Sequence, residues 1–329
     1  VTPDGRLIRV DELREWDGPG ELVVFLGVRT AGSRSHETFS GWAAALGRPD
    51  WTLRGLDLPL NAPDAAYAEL VAAVAANPRV AGAVVTSHKL RLHRAGATLF
   101  RRTDVLAGLT REVNTLARAT DGVDAHARDP LALTAVLRGF DGAGHADVVV
   151  YGAGGAGTAL LLALTLDVGA TLASGSLVRA AGRGPRSITV LDTDEDAVAA
   201  LRATARRCGV LDGRLRLLAA GDPAAPFPLP DGALVVNATG LGKDRPGSPL
   251  PPGTVLPPGA TAWDVNYRGD LTFLADARAQ GATAVDGWDY FVAGWGAALT
   301  AIAGVPFTDD MLAGLAAAAA AHRPGTLPS

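Results

Sequence analysis

Polar residues stand at the ends of hydrophobic runs in several places: Lys89 closes 82-GAVVTSHK-89, Asn114 opens 112-EVNTLAR-118, Asp129 sits in 126-HARDP-130, and Asn237 and Thr239 lie in 235-VVNATGLG-242. A lysine paired with an aspartate can move a proton to and from a hydroxyl, the chemistry that oxidation of a secondary alcohol to a ketone requires. The same two types also serve as a solvated lysine and a capping aspartate, so the pair takes its meaning from its surroundings. A second constellation is 152-GAGGAG-157, where Gly152, Gly154 and Gly157 satisfy G-x-G-x-x-G around Gly155 and Ala156. Such glycines allow a tight turn and close approach of backbone to a pyrophosphate, and the helix that follows offers unpaired N–H groups. Asp192 in 188-ITVLDTDE-195 ends the next hydrophobic run, where a carboxylate can accept ribose hydroxyls and repel a 2′-phosphate, which favours NAD over NADP. It lies 40 residues after Gly152, about twice the usual spacing. The stretch 174-SGSLVRAAGRGPRS-187, expected to protrude, accounts for the excess, and its Arg183 and Arg186 keep NADP open.

No metal is expected. His36, His88, His93, His126 and His145 are scattered without ligand spacing, and the single cysteine, Cys208, excludes an intramolecular disulfide and a multi-cysteine cluster.

The elements needed to position these residues follow from hydrophobic periodicity. Strands are expected at 21–27, 51–58, 82–86 and 112–118, with helices at 35–47, whose start Ser35 marks, and at 63–76; short helices fill 87–110, and 121–130 reads as polar turn. A second, more regular series follows: strands at 146–151, 187–191, 214–218, 233–236 and 261–265 alternate with helices at 156–168 and 195–207. Hydrophobic strands joined by crossover helices imply a parallel sheet covered on both faces. Ligands of such sheets gather beyond the carboxyl ends of the strands. The chain therefore reads as α/β, with an N-terminal α/β domain, a Rossmann-type dinucleotide domain and a cleft between them. The expected boundaries are 1–128, with 289–329 packing back, and 129–288.

Length and charge agree. A chain of 329 residues has material for two cores, and 48% hydrophobic with 19% charged residues suits a folded protein rather than a disordered one. With 30 basic against 34 acidic residues, a general pull toward nucleic acid or anionic membrane is excluded. The charged start, VTPDGRLIRVDELREWDG, lacks a signal-peptide core, and the apolar windows are broken or short, so a cytoplasmic setting without membrane insertion is expected. The expected partner is a small-molecule substrate, bound by a monomer or homodimer.

Taken in order, these motifs resemble the shikimate/quinate dehydrogenase superfamily over nearly the whole chain. The resemblance matches Ser33 and Ser35 in 32-GSRSH-36 to two substrate-binding serines, Thr86 and Lys89 in 84-VVTSHK-89 to the segment of the catalytic lysine, and Asp129 to the catalytic aspartate. It also makes Asn114 and Tyr267 substrate contacts, and places Asn237, Thr239 and Gly287 beside the nicotinamide. What it implies is reversible hydride transfer between NAD, with NADP possible, and a secondary alcohol on a small cyclic, carboxylated polyol. Lys89 is the proton shuttle in that scheme and Asp129 its partner.

The departures concern the substrate. Gly294 stands where a substrate-binding glutamine belongs, His36 replaces a proline, and the interval from Thr86 to Lys89 is one residue short. A missing amide leaves a substrate hydroxyl unpaired at a cost of about 1–3 kcal/mol if desolvated. His36 and Trp295 are the candidate replacement contacts, with a place in the core the other reading of Trp295. The alternative reading is a dinucleotide-binding sensor without turnover.

Overall fold

In the computed structural model of the chain, the structure describes residues 5–139, 145–180, 184–219, 227–243 and 245–325. Two compact units divide it: the chain up to Ala132 joined by Val292–Arg323, and Leu133–Phe291. The divisions fall a few residues beyond those expected at 128 and 288.

The first unit runs α1 (Val10–Arg14), β1 (Leu22–Gly27), α2 (Ser35–Ala45), β2 (Thr52–Asp57), α3 (Asp64–Ala76), β3 (Val80–Val85), α4 (Lys89–Gly96), β4 (Arg102–Thr103), α5 (Val105–Thr110), β5 (Thr115–Ala119), β6 (Gly122–His126) and the start of α6 (Asp129–Arg138). Strands β1 and β3 are buried at every position, as their unbroken apolar runs require for the middle of a covered parallel sheet. The sheet order is β2-β1-β3-β5-β6-β4, with β1 parallel to β2 and β3, and β5 antiparallel to both β3 and β6. Strand β6 lies in the stretch expected to be polar turn. Val123 is its one strong β-former, and its buried Asp124 is held by Nε and Nη2 of Arg101 at 2.9 and 2.6 Å. That pairing lets a charged residue sit inside a sheet. Helix α2 begins as expected at Ser35, although Arg34 occupies the cap position without a capping side chain.

The second unit continues with β7 (Asp147–Tyr151), α7 (Gly155–Thr165), α8 (Val168–Ser174), β8 (Ser187–Asp192), α9 (Glu195–Arg207), β9 (Leu215–Ala219), β10 (Leu234–Asn237), β11 (Thr261–Asp264), α10 (Thr272–Ala279) and β12 (Thr283–Val285). Its sheet is parallel throughout, in the order β12-β11-β10-β7-β8-β9. In chain order this is the 3-2-1-4-5-6 arrangement of dinucleotide-binding sheets, whose switch point lies between β7 and β10. The long interval before Asp192 is in part the helix α8, capped by Asp167 and with Val168 and Thr171 buried, rather than a wholly protruding loop. Arg183 lies outside the described residues.

Two further α-helices follow, α11 (Trp288–Ala303) and α12 (Asp309–Ala319), and from Val292 onward they belong to the first unit. Trp295 stacks on Trp42 at 5.6 Å and meets Phe25 edge-on at 5.0 Å, while Trp42 Nε1 donates to Leu315 O at 3.1 Å. Among the described residues no helix is long and apolar enough to cross a membrane.

Candidate functional site

In the first unit, the antiparallel insertion of β5 brings four chain segments to one edge of the sheet. Val85 N donates to Asn114 O at 2.8 Å and Asn114 N donates to His126 O at 3.0 Å, so the carboxyl ends of β3 and β6 flank the amino end of β5. Lys89, the first residue of α4, follows β3; Asp129, the first residue of α6, follows β6. His88, between β3 and α4, is a buried strut: its Nε2 lies 3.2 Å from Gly27 O and its Nδ1 2.9 Å from the Tyr67 hydroxyl. Because a carbonyl only accepts, Nε2 carries the proton and Nδ1 accepts from the phenol. The strut ties the start of α4 to the end of β1.

Lys89 Nζ donates to Asp129 Oδ2, and Asn114 Nδ2 donates to the other oxygen, Oδ1, at 2.8 Å. The amide of Asn114 has only one orientation, since its Oδ1 accepts from Arg128 N at 2.8 Å and from Thr115 Oγ1 at 3.1 Å. Asp129 is therefore held on both oxygens in a setting where its side chain is 12% exposed, and Lys89, at 21%, is the more accessible partner. A buried carboxylate that anchors an accessible ammonium is an arrangement able to pass a proton to a bound oxygen.

Glu112 was not anticipated. It is 7% exposed, at the entry to β5, and its neighbour Val113 donates its N–H to Lys89 O at 3.1 Å. Burial pushes its carboxyl above the ordinary carboxylate range, an effect moderated by the Lys89 cation and reinforced by Asp129. The signal available in sequence was slight: a glutamate directly before Val113-Asn114-Thr115, preceded by Thr110 and Arg111.

The loop after β1 is hooked to β2 through Thr30, whose N–H and Oγ1 both bond Asp57 Oδ1, at 2.8 and 2.7 Å. Ser35 is fully buried and its hydroxyl donates to Ser33 Oγ at 2.8 Å. This corrects the expectation of two serines facing a ligand: Ser33 remains available, and Ser35 orients it. Thr86 is exposed, with its Oγ1 3.3 Å from Leu26 O. His36 is half-buried; burial, with Arg6 nearby, lowers its pKa, and its Nε2 is buried with no partner among the described residues. Trp295, expected as a replacement substrate contact, is core between Phe25 and Trp42. Gly294 has ordinary helical backbone and nothing within 4 Å of where a Cβ would stand.

In the second unit, the glycine turn follows β7 and opens α7. Gly152 has φ +111°, and a Cβ there would stand 2.6 Å from the Ala238 carbonyl; at Gly157 it would stand 2.0 Å from Gly152 O. Protein packing thus explains both. Gly154 differs: nothing lies within 4 Å of its missing Cβ, and it caps α7 without a side chain. Open space at an uncapped helix start is what close approach of a phosphate requires. Asp192 ends β8 beside this turn and accepts from Ala153 N at 2.7 Å and Asp194 N at 3.0 Å, while Asp194 is the cap of α9. One hydrogen bond on each oxygen leaves acceptor capacity for a ribose. Arg186 corrects another expectation. It pairs with Asp147, at the amino end of β7, the opposite edge from Asp192.

Asn237 is fully buried and its amide is fully used: Nδ2 donates to Asp264 Oδ2 at 2.8 Å and Leu241 O at 3.0 Å, and Oδ1 accepts from Thr239 N at 3.1 Å and Oγ1 at 2.7 Å. Instead of touching a ligand, it shapes the loop that carries Thr239. Asp264, buried at the end of β11, also takes two bonds from Asn266, and burial outweighs them in raising its pKa. Gly287 is required by the backbone of residues 265 and 266, since a Cβ there would stand 2.2 Å from Val265 O. Tyr267 packs against Trp288 at 5.4 Å and Phe291 at 4.5 Å. Among the described residues no group of three histidine, cysteine or carboxylate side chains could hold a metal ion.

Neither a protein-family model nor a curated protein matches the chain by sequence. Solved structures do match by shape. Quinate dehydrogenase from Corynebacterium glutamicum in complex with NAD superposes with a TM-score of 0.65 at 22% identity, covering 91% of this chain and 99% of that one. The 5-ketofructose reductase of Gluconobacter sp. strain CHM43 gives 0.64 at 20% identity, covering 90% and 98%. Shikimate 5-dehydrogenase from Listeria monocytogenes, in complex with shikimate and NAD, gives 0.65 at 19% identity, covering 89% and 95%. The chain has the α/β fold, Rossmann-type sheet included, of the shikimate and quinate dehydrogenases.

Proposed function

We propose that the chain is an NAD(P)-dependent oxidoreductase that interconverts a secondary alcohol and a ketone on a small cyclic polyol related to shikimate or quinate. The observation that carries this reading is the Lys89–Asp129–Asn114 constellation at one edge of the first sheet. Asp129, itself fixed by Asn114, holds the Lys89 ammonium in place; Lys89 takes the hydroxyl proton in oxidation and returns it in reduction. Ser33, Thr86 and Tyr267 are the proposed substrate contacts. In the second unit, Gly154 and the N–H groups that open α7 would hold the pyrophosphate, and Asp192 the adenosine ribose. When bound, the nicotinamide supplies the hydride acceptor or donor. The resident Asp192 carboxylate favours NAD, and the engagement of Arg186 elsewhere removes one argument for NADP. The solved relatives act on, or bind, quinate, shikimate or 5-ketofructose by their names, which supports polyols and their ketones as the substrate class.

The deciding experiment is titration with NAD and NADP by calorimetry, followed by a turnover assay on shikimate, quinate and reduced and oxidised sugar polyols. NAD binding with turnover of one of these supports the reading. Binding without turnover over the panel supports a sensor of the same fold, a reading favoured by the unfilled space at Gly294. Absence of binding by either dinucleotide overturns both.

A further inference from the structure

The segment 111-REVNTL-116 carries a carboxyl for which the proton shuttle gives no role. Glu112 lies between α5 and β5, its N–H bonded to Thr110 Oγ1 at 3.2 Å. The next N–H, of Val113, is bonded to the carbonyl of Lys89, whose ammonium holds one oxygen of Asp129; the residue after that, Asn114, holds the other. Glu112, in the link into β5, is thus tied through the main chain to both members of the pair, Lys89 on α4 and, by way of Asn114, Asp129 on α6. Lys89 and Asp129 are also the charged groups that act on Glu112, with opposite signs. At 7% exposure, Glu112 has little water to support its ionised form.

We propose that Glu112 is a positioning residue that sets the net charge of the Lys89–Asp129 pair, and with it the pH at which Lys89 takes a proton from the substrate. The proposal rests on the reading of Lys89 as the proton shuttle. With Glu112 protonated, the cluster is one ammonium and one carboxylate, and is neutral. As pH rises, Glu112 loses its proton to solvent and a second negative charge appears beside the ammonium. Coupling between two titrating groups is mutual, so the carboxylate that Lys89 helps to ionise in turn holds the proton on Lys89. A base must be unprotonated, so ionised Glu112 delays the active form to higher pH. No electron moves at Glu112, and the hydroxyl proton still passes to Lys89.

The test uses the full chain and the variants Glu112→Gln, Lys89→Met and the double variant, with two readouts. The first is the pH profile of kcat/KM for alcohol oxidation. In Glu112→Gln its ascending limb is expected to move about one pH unit toward lower pH. The second is the pH dependence of unfolding, which needs no substrate. A carboxyl whose folded pKa is raised contributes stability that is full below its unfolded pKa and is lost as pH rises through the folded one. Glu112→Gln should therefore gain on the wild type as pH rises above 4.5, the ordinary value for glutamate. The gain should be larger in the Lys89→Met background, where no cation assists ionisation. If Glu112→Gln does not fold, Lys89→Met alone should lose more stability than wild type across the same pH range. Turnover with an unmoved limb, or a pH dependence that ignores Lys89, overturns the role of Glu112 alone. PH-linked coupling in a protein that turns over no alcohol overturns the dehydrogenase reading, and this proposal with it.

Discussion

Asp129 accepts on both oxygens and its neighbour Lys89, the more accessible of the two, donates to it, so the two positions should fail differently. Lys89→Met is expected to lower kcat by about 10²–10⁴-fold, with dinucleotide affinity unchanged by calorimetry. Asp129→Asn keeps a partner for Asn114 but removes the charge that holds the ammonium, and should lower kcat while shifting the pH profile. Asp192 invites a different test: Asp192→Asn retains an acceptor for Ala153 N and removes the repulsion of a 2′-phosphate. Preference for NAD over NADP in paired titrations should fall by about tenfold, the equivalent of about 1.4 kcal/mol. At this scale, residue type together with the family resemblance made Lys89, Asn114 and Asp129 candidates in advance. Burial was not readable, because it depends on neighbours distant in sequence: it turned Ser35 and Asn237 into internal struts, placed Trp295 in the core and drew Glu112 into the cluster.

At the scale of elements, the glycine turn and α11 make opposite demands on small residues. Gly157→Ala places a methyl carbon 2.0 Å from Gly152 O, so the turn must shift, and loss of dinucleotide binding with a lowered Tm is the expected result. Gly294→Ala meets open space in a helix interior, where alanine is favoured over glycine by about 0.5–1 kcal/mol, and Tm should rise. The regular βαβ series from residue 146 was legible because its strands are largely apolar and α9, between β8 and β9, has one buried and one polar face. Strand β6 was not, since GVDAH has one strong β-former and its aspartate is made tolerable by Arg101, a residue outside the segment. Helix α8 escaped for a related reason: seven residues rich in small side chains give too little periodicity to separate a helix from a loop.

Across the whole molecule, the lone cysteine reports on integrity. Cys208 is fully buried, and burial pushes its thiol up to about 11 from an ordinary 9.0. Its folded pKa is raised, so its contribution to stability is full below pH 9 and is lost as pH rises toward 11. Native protein at pH 8 should therefore resist thiol reagents, with labelling that follows unfolding in denaturant; rapid labelling of the native state would contradict the burial. The parallel second sheet was foreseeable as a class, but the mixed first sheet was not, because it turns on the reversal at β5.

The sharing of the first unit between the two ends of the chain bears on how the protein is made. Phe25 and Trp42 leave the ribosome early, yet Trp295, which completes their cluster, lies about 250 residues further along the chain. Leu133–Phe291 is continuous and can close its own sheet during synthesis, whereas the first sheet must wait, part-finished and with apolar surface uncovered, until α11 and α12 emerge. Vectorial synthesis thus reverses the order in the sequence: the first unit starts before the second and closes after it.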